Sequence, residues 1–100
     1  MIELSGRQKR ALRALGQTTP VALTVGKSGL SDELLRDADA IIERVELLKI
    51  RLPSMDRHDR GPLAQRISDA LNADLVGVVG HTVLLYRPAS DPDKRRITVE

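Results

Sequence analysis

Between residues 4 and 16 the apolar Leu4, Ala11, Leu12 and Leu15 recur at helical spacing, with Arg7, Lys9, Arg10 and Arg13 spread over the other side. The pattern predicts an amphipathic helix over 5–16, with Ser5 as N-cap and Gly16 as stop. Gln17-Thr18-Thr19-Pro20 reads as a turn. Val21-Ala22-Leu23-Thr24-Val25 is mostly apolar, as expected of a short buried strand. After the tight loop Gly26-Lys27-Ser28-Gly29, Ser31 is placed to cap a second helix whose first turn carries Asp32 and Glu33. Leu34, Leu35, Ala38, Ile41, Ile42 and Val45 continue that helix, and Asp37, Asp39 and Glu43 mark its outer face.

Leu47 to Leu52 reads as a second strand, alternating at its end and closed by Pro53. The polar stretch from Ser54 to Gly61 reads as a flexible loop. Pro62 then opens a third helix, marked by Leu63, Ile67, Ala70 and Leu71 and running to about Asn72. Leu75–Val79 and Thr82–Tyr86 are two strands joined by Gly80-His81, hence a hairpin. The tail 89–100 is polar, and Arg96-Ile97-Thr98-Val99 is a candidate edge strand. The order α-β-α-β-α-β-β predicts one α/β domain over 1–100, a mixed four-stranded sheet packed by helices.

Composition narrows the function. Hydrophobic residues make up 41% of the chain, enough for a packed core, yet Tyr86 is the only aromatic. RNA modules that stack bases on aromatic platforms are therefore a poor match, and any RNA contact must use backbone, charge and shape. The absence of cysteine removes disulfide scaffolds, thiolate zinc sites and cysteine nucleophiles. Met1-Ile2-Glu3-Leu4 shows no leader pattern, and no apolar run is long enough to span a bilayer, which fits a cytoplasmic protein. Net charge is only +2, but residues 1–30 carry +4 and residues 31–50 carry −3. A local basic face suits a polyanion, and equally a solvated surface.

The loop Gly26-Lys27-Ser28-Gly29 is the leading chemical candidate. It lies between a strand and a helix, its glycines allow close approach of a ligand, and Lys27 adds charge at the tip. The spacing is that of a loop that clamps nucleic-acid backbone, and it matches neither a Walker A loop nor the dinucleotide fingerprint. Taken alone, it also serves as a plain strand-to-helix turn. Arg7, Arg10 and Arg13 can each reach a phosphate. His81 and Arg87 are weaker candidates, the first equally a turn residue and the second equally the partner of an acid. Asp56, His58 and Asp59 read as loop solvation rather than a metal site. No HExxH, GxSxG or metal-spaced acid cluster occurs, so neither an enzyme nor a cofactor is expected.

Three runs share a further likeness. They are Leu23 to Ser31, Glu46 to Arg51, and Val79 to Pro88, with the opening Leu4-Ser5-Gly6-Arg7-Gln8-Lys9-Arg10 in the same order and spacing. Together, over about residues 2–88, they resemble the CRM domain in its stand-alone bacterial YhbY-like form. The resemblance implies an α/β fold similar to the C-terminal domain of translation initiation factor three. It also implies RNA binding and association with precursors of the large ribosomal subunit. It maps the family's GxxG loop onto Gly26–Gly29 and its basic first helix onto Arg7, Lys9, Arg10 and Arg13. The chain departs from the family in having His81 where a Lys or Arg is common, and no basic residue in Gln17–Pro20. The alternative from a different class is a protein–protein adaptor using the acidic face of the second helix. Neither a membrane nor a small-molecule substrate is expected.

Overall fold

A computed structural model describes residues 4–98. Helix α1 spans Gly6–Gly16, strand β1 Leu23–Thr24, α2 Asp32–Val45, β2 Leu47–Arg51, α3 Arg57–Leu71, β3 Asp74–Val79 and β4 Thr82–Tyr86. The sheet order is β1-β2-β4-β3. β1 runs parallel to β2, and the other two pairings are antiparallel. The mixed four-stranded α/β architecture expected from the element order is present.

Alternation along β2 divides the core into two layers. Leu48 and Ile50, with Val83 and Leu85 of β4, meet Ala38 and Ile42 of α2 and Ala64, Ile67 and Leu71 of α3. Leu47, Leu84 and Tyr86 point the other way and meet Leu4 and Leu12 beside α1. Two helices thus cover one face of the sheet, and one short helix covers part of the other. A single-register slip would exchange the two sets, so burial on both faces fixes the pairing Leu48↔Leu85 and Ile50↔Val83.

Local chemistry sets most boundaries. Ser5 and Gln8 form a capping box, with Gln8 N–H donating to Ser5 Oγ at 3.1 Å and Ser5 N–H to Gln8 Oε1 at 2.8 Å. Ser31 Oγ accepts from Leu34 N–H at 3.1 Å at the head of α2. α3 closes on Asn72, whose backbone takes the left-handed conformation at φ 52.

Four expectations are corrected. α3 begins at Arg57, not Pro62, because Asp56 caps it by accepting from His58 N–H at 2.9 Å. Much of the polar stretch 54–61 is therefore helical, and Pro62 sits early inside the helix, where only one backbone hydrogen bond is lost. Strand β1 is a two-residue edge strand rather than a buried one, although Ala22 N–H to Lys49 O (2.9 Å) and Val25 N–H to Arg51 O (2.8 Å) extend its pairing. Leu15, expected on the buried side of α1, is 47% exposed because the buried stripe of the helix is Leu12 and Gly16, and Leu15 lies to its side. The tail is not an edge strand over its described residues. It folds back irregularly, with a 3-10 turn at Pro92–Lys94, and Ile97 packs on the layer containing Tyr86. Val99, like Met1-Ile2-Glu3, lies outside the described residues.

Glu46 is the anchor of that tail. It ends α2 with φ 68, a conformation costing an ordinary side chain about 1–2 kcal/mol. Its carboxylate, fully buried, accepts N–H groups from Ala89 (2.9 Å), Arg96 (2.5 Å) and Ile97 (2.9 Å). Burial pushes the Glu46 carboxyl up, but these three donors outweigh it and hold it below the ordinary glutamate value.

Candidate functional site

Three sequence-distant segments meet at one edge of the sheet. The parallel strands β1 and β2 both end there, and the β3–β4 hairpin turns there. The loop 26–29 leaves β1 one residue after Val25 bonds to Arg51, and Leu52 N–H donates to His81 O at 2.6 Å. The loop is a tight turn closed by Gly29 N–H to Gly26 O at 3.0 Å, and only Gly29, at φ 83, requires glycine for its backbone. Gly26, Lys27 and Ser28 are exposed, and the amides of Lys27 and Ser28 have no partner among the described residues.

The head of α2 is a weaker phosphate site than its position suggests. Ser31 already occupies the Leu34 amide, and the carboxylates of Asp32 and Glu33 stand in the first turn. Both interactions favour the helix end and compete with an external anion. Any grip on phosphate at this loop therefore falls to Lys27 and the two free turn amides.

The cations of α1 divide by face. Arg7 and Arg10 are exposed and point away from the sheet. Lys9 and Arg13, four residues apart, lie on the side of β3. Lys9 exerts a favourable field on the Asp74 carboxylate. Arg13 Nη1 donates to the carbonyl of Val76 at 3.1 Å. Val76 stands at a bulge between Leu75↔Leu85 and Gly77↔Leu84, where the extra residue has no cross-strand partner. The bulge thus supplies the carbonyl that orients Arg13 across the sheet.

Two cations were not singled out by the sequence reading. Lys49 and Arg51 alternate with Leu48, Ile50 and Leu52, so both point to the α1 face of the sheet, beyond the end of that helix. The alternation was the available signal. Arg13, Gln17, Lys49, Gly77, Val79, Thr82 and Leu84 surround a cavity of about 300 Å³ under the C-terminal end of α1. Next to it, Arg51, Ser54, His81 and Thr82 border a second hollow. Thr82 is common to both, so one polar and basic strip runs from α1 to the edge where the loop emerges. Arg60 of α3 joins it, with Nη1 donating to Gly80 O and Nη2 meeting His81 Nε2, both at 3.2 Å. Tyr86 takes no part: it is 2% exposed within the α1 layer.

Arg87 lies away from this strip and takes the other role open to it, the partner of an acid. Its guanidinium donates to Asp39 Oδ1 (2.7 Å), to Leu71 O (2.8 Å) and to Glu43 Oε1 (3.4 Å), tying β4 to α2 and α3. The same clamp engages two of the three acids on the outer face of α2. Among the described residues the ion pairs are these two of Arg87, and Lys27, Lys49 and Arg51 have none. No three His, Asp or Glu side chains gather to hold a metal among the described residues, and no helix there is long and apolar enough to cross a membrane.

The chain is 31% identical over 88 residues to a Methanocaldococcus jannaschii protein named "Probable RNA-binding protein", covering 86% of this chain but 65% of that one. It is 27% identical over 88 residues to the "Probable RNA-binding protein YqeI" of Bacillus subtilis, covering 88% and 92% of the two chains. A solution structure of a Staphylococcus aureus protein superposes with a TM-score of 0.82 at 28% identity, over 96% of this chain and all of that one. The model of the CRS1 / YhbY (CRM) domain matches residues 4–87, the whole span from the start of α1 to the end of β4. The chain belongs to the CRS1/YhbY (CRM) domain family.

Proposed function

We propose that this protein binds structured RNA in the cytoplasm and assists assembly of the large ribosomal subunit, acting on ribosomal RNA or its precursor without catalysing a reaction. The observation that carries the RNA contact is the unpaired basic strip. Lys49 and Arg51 continue from Arg13 to the edge that bears the Gly26–Gly29 loop, and no carboxylate lines the two hollows they border. Family membership and the names of the relatives support RNA as the polyanion. The ribosomal role rests on the family resemblance.

In this reading Lys27 and the amides of Lys27 and Ser28 meet phosphate, and Gly26 and Gly29 let the backbone approach. Arg7, Lys9, Arg10 and Arg13 position the domain along the RNA. His81 stands at the rim, held by Arg60. Phosphate contacts of this kind fix register and affinity but carry little sequence information. The adaptor reading loses ground because Arg87 already engages Asp39 and Glu43.

The test is RNA binding across a salt series. Each phosphate contact contributes about 0.7–0.9 to the slope of log affinity against log salt. The double variant Lys27→Ala/Arg10→Ala is expected to lower that slope by about 1.5. An affinity for RNA that does not change with salt would sink the mechanism. For the cellular role, the tagged chain should cosediment with large-subunit precursors and be released by ribonuclease. Partners retained after ribonuclease would favour the adaptor.

A further inference from the structure

The cavity under the end of α1 has a different chemistry from the rest of the strip. Its floor and walls are Gly77, Val79 and Leu84, and its rim carries Arg13, Gln17, Lys49 and Thr82. No carboxylate lines it. Its volume of about 300 Å³ lies at the small end of ligand sites, enough for one heterocycle rather than a whole nucleotide.

Two glycines keep it open. A Cβ on Gly16 would stand 2.6 Å from Leu84 Cδ2, so glycine lets the last turn of α1 settle on β4 without displacing the Leu84 side chain. A Cβ on Gly77 would stand 3.2 Å from Arg13 Cδ, so this strand residue leaves room for the Arg13 stem to lie across it. The bulge carbonyl of Val76 then holds the guanidinium in place. The result is an apolar recess with an oriented planar cation at one wall. Val79, 69% exposed, stands uncovered at its mouth.

Single-stranded RNA is recognised by splaying bases out, stacking them on flat groups and bonding their edges. Arginine guanidinium planes serve as such flat groups where aromatic rings are absent. We infer that this cavity takes one unpaired nucleobase of the bound RNA, stacked against Arg13 and the aliphatic wall of Val79 and Leu84. Its edge faces the Gln17 amide and the Thr82 hydroxyl. The flanking phosphates fall to Lys49 and Arg51. Thr82 Oγ1 donates to Val79 O at 2.8 Å, which leaves its oxygen free to accept from a base N–H. The inference rests on the RNA-binding reading and adds to it a preference for RNA that offers an unpaired base.

The experiment uses the full chain with methyl-labelled Val and Leu. It is titrated with a ten-nucleotide single-stranded RNA of mixed sequence and with the blunt duplex of the same length. The single strand is expected to move the Val79 and Leu84 methyl signals upfield through the ring current of the bound base, and the duplex to leave them in place. Val79→Ser, at an exposed position that the fold does not depend on, should weaken single-strand binding about fivefold. It should leave duplex binding and the salt slope unchanged. Replacing the bases one at a time with abasic sugars should reproduce that loss at one position, with every phosphate retained. If both RNAs shift the Lys27 and Ser28 amides while the Val79 and Leu84 methyls stay silent, RNA binding stands and the base pocket is overturned. If neither RNA binds, both readings fall.

Discussion

The two ends of the sheet treat charge in opposite ways. Where β2 begins and β4 ends, Glu46 is enclosed by three backbone N–H groups and Arg87 by two carboxylates and two carbonyls. Glu43 takes both the amide and the hydroxyl of Ser90 there, and these hydrogen bonds, the amide's foremost, keep its carboxyl below the ordinary value. Where β2 ends and β4 begins, Lys27, Lys49 and Arg51 have no ionic partner among the described residues. Residue type therefore says little about role. The partner does: a charge enclosed by its own chain maintains the fold, and an open one is available to a ligand.

The largest expected effect is at the enclosed end. Glu46→Gln replaces an anion that satisfies three donors with a neutral amide. Hydrogen bonds to a charged group are worth about 1.5–3 kcal/mol, and a buried donor left unpaired costs a similar amount. A loss of about 3 kcal/mol is expected in urea unfolding at neutral pH, with faster hydrogen exchange at Ala89, Arg96 and Ile97. The sign with pH follows from the depressed carboxyl. Its contribution is complete above the ordinary value of 4.5 and is lost as pH falls through the lower folded value. The variant should lack that part of the acid sensitivity. RNA affinity, measured where both proteins are folded, should not change. A large drop in affinity would break the division between the two ends.

The same contrast explains what could be read in the sequence. Caps such as Ser5 and Ser31 are local: the capping residue and the amide it serves are three residues apart, so the signal is contiguous. The loop 26–29 was visible for the same reason. The start of α3 was not, because Pro62 imitates a first-turn proline while Asp56, the true cap, sits in a run of polar residues that resembles a loop. Glu46 was invisible in its role, and for Arg87 the sequence offered an acid partner without saying which. Their partners lie 43–51 and 16–48 residues away, and a single buried carboxylate can hold a tail that composition alone would leave loose. Lys49 and Arg51 fall between these cases. Alternation gave their face, but only the short reach of α1 shows that the face is uncovered.

At the open end the effect should move from stability to affinity. Lys49→Ala/Arg51→Ala is expected to reduce RNA binding about tenfold at low salt, equivalent to about 1.4 kcal/mol. Its unfolding free energy should stay within about 0.5 kcal/mol of the parent, as for surface substitutions away from packed features. Removing the pair also tests whether the strip is continuous. If the loss merely adds to that of Lys27→Ala/Arg10→Ala, the two sets contact RNA independently. If the combined variant loses clearly less than the sum, they share phosphates.

Asp74 is the exception that sharpens the comparison. It lies at the enclosed end, at the start of β3 opposite Tyr86, yet its Oδ2 is buried without a hydrogen-bond partner among the described residues. Burial pushes its carboxyl up, and the field of Lys9 only partly offsets this. The folded state therefore binds this proton more readily than the unfolded chain. Stability should rise as pH falls through the raised folded value toward the ordinary 3.8. Asp74→Asn removes the enclosed charge and should stabilise the protein at neutral pH by about 0.5 kcal/mol, opposite in sign to Glu46→Gln. The advantage should shrink on acidification, as the parent takes up its proton. If Asp74→Asn instead destabilises the fold at neutral pH, Lys9 holds the carboxylate as a structural pair. Lys9 would then belong with the enclosed charges and leave the RNA-facing set.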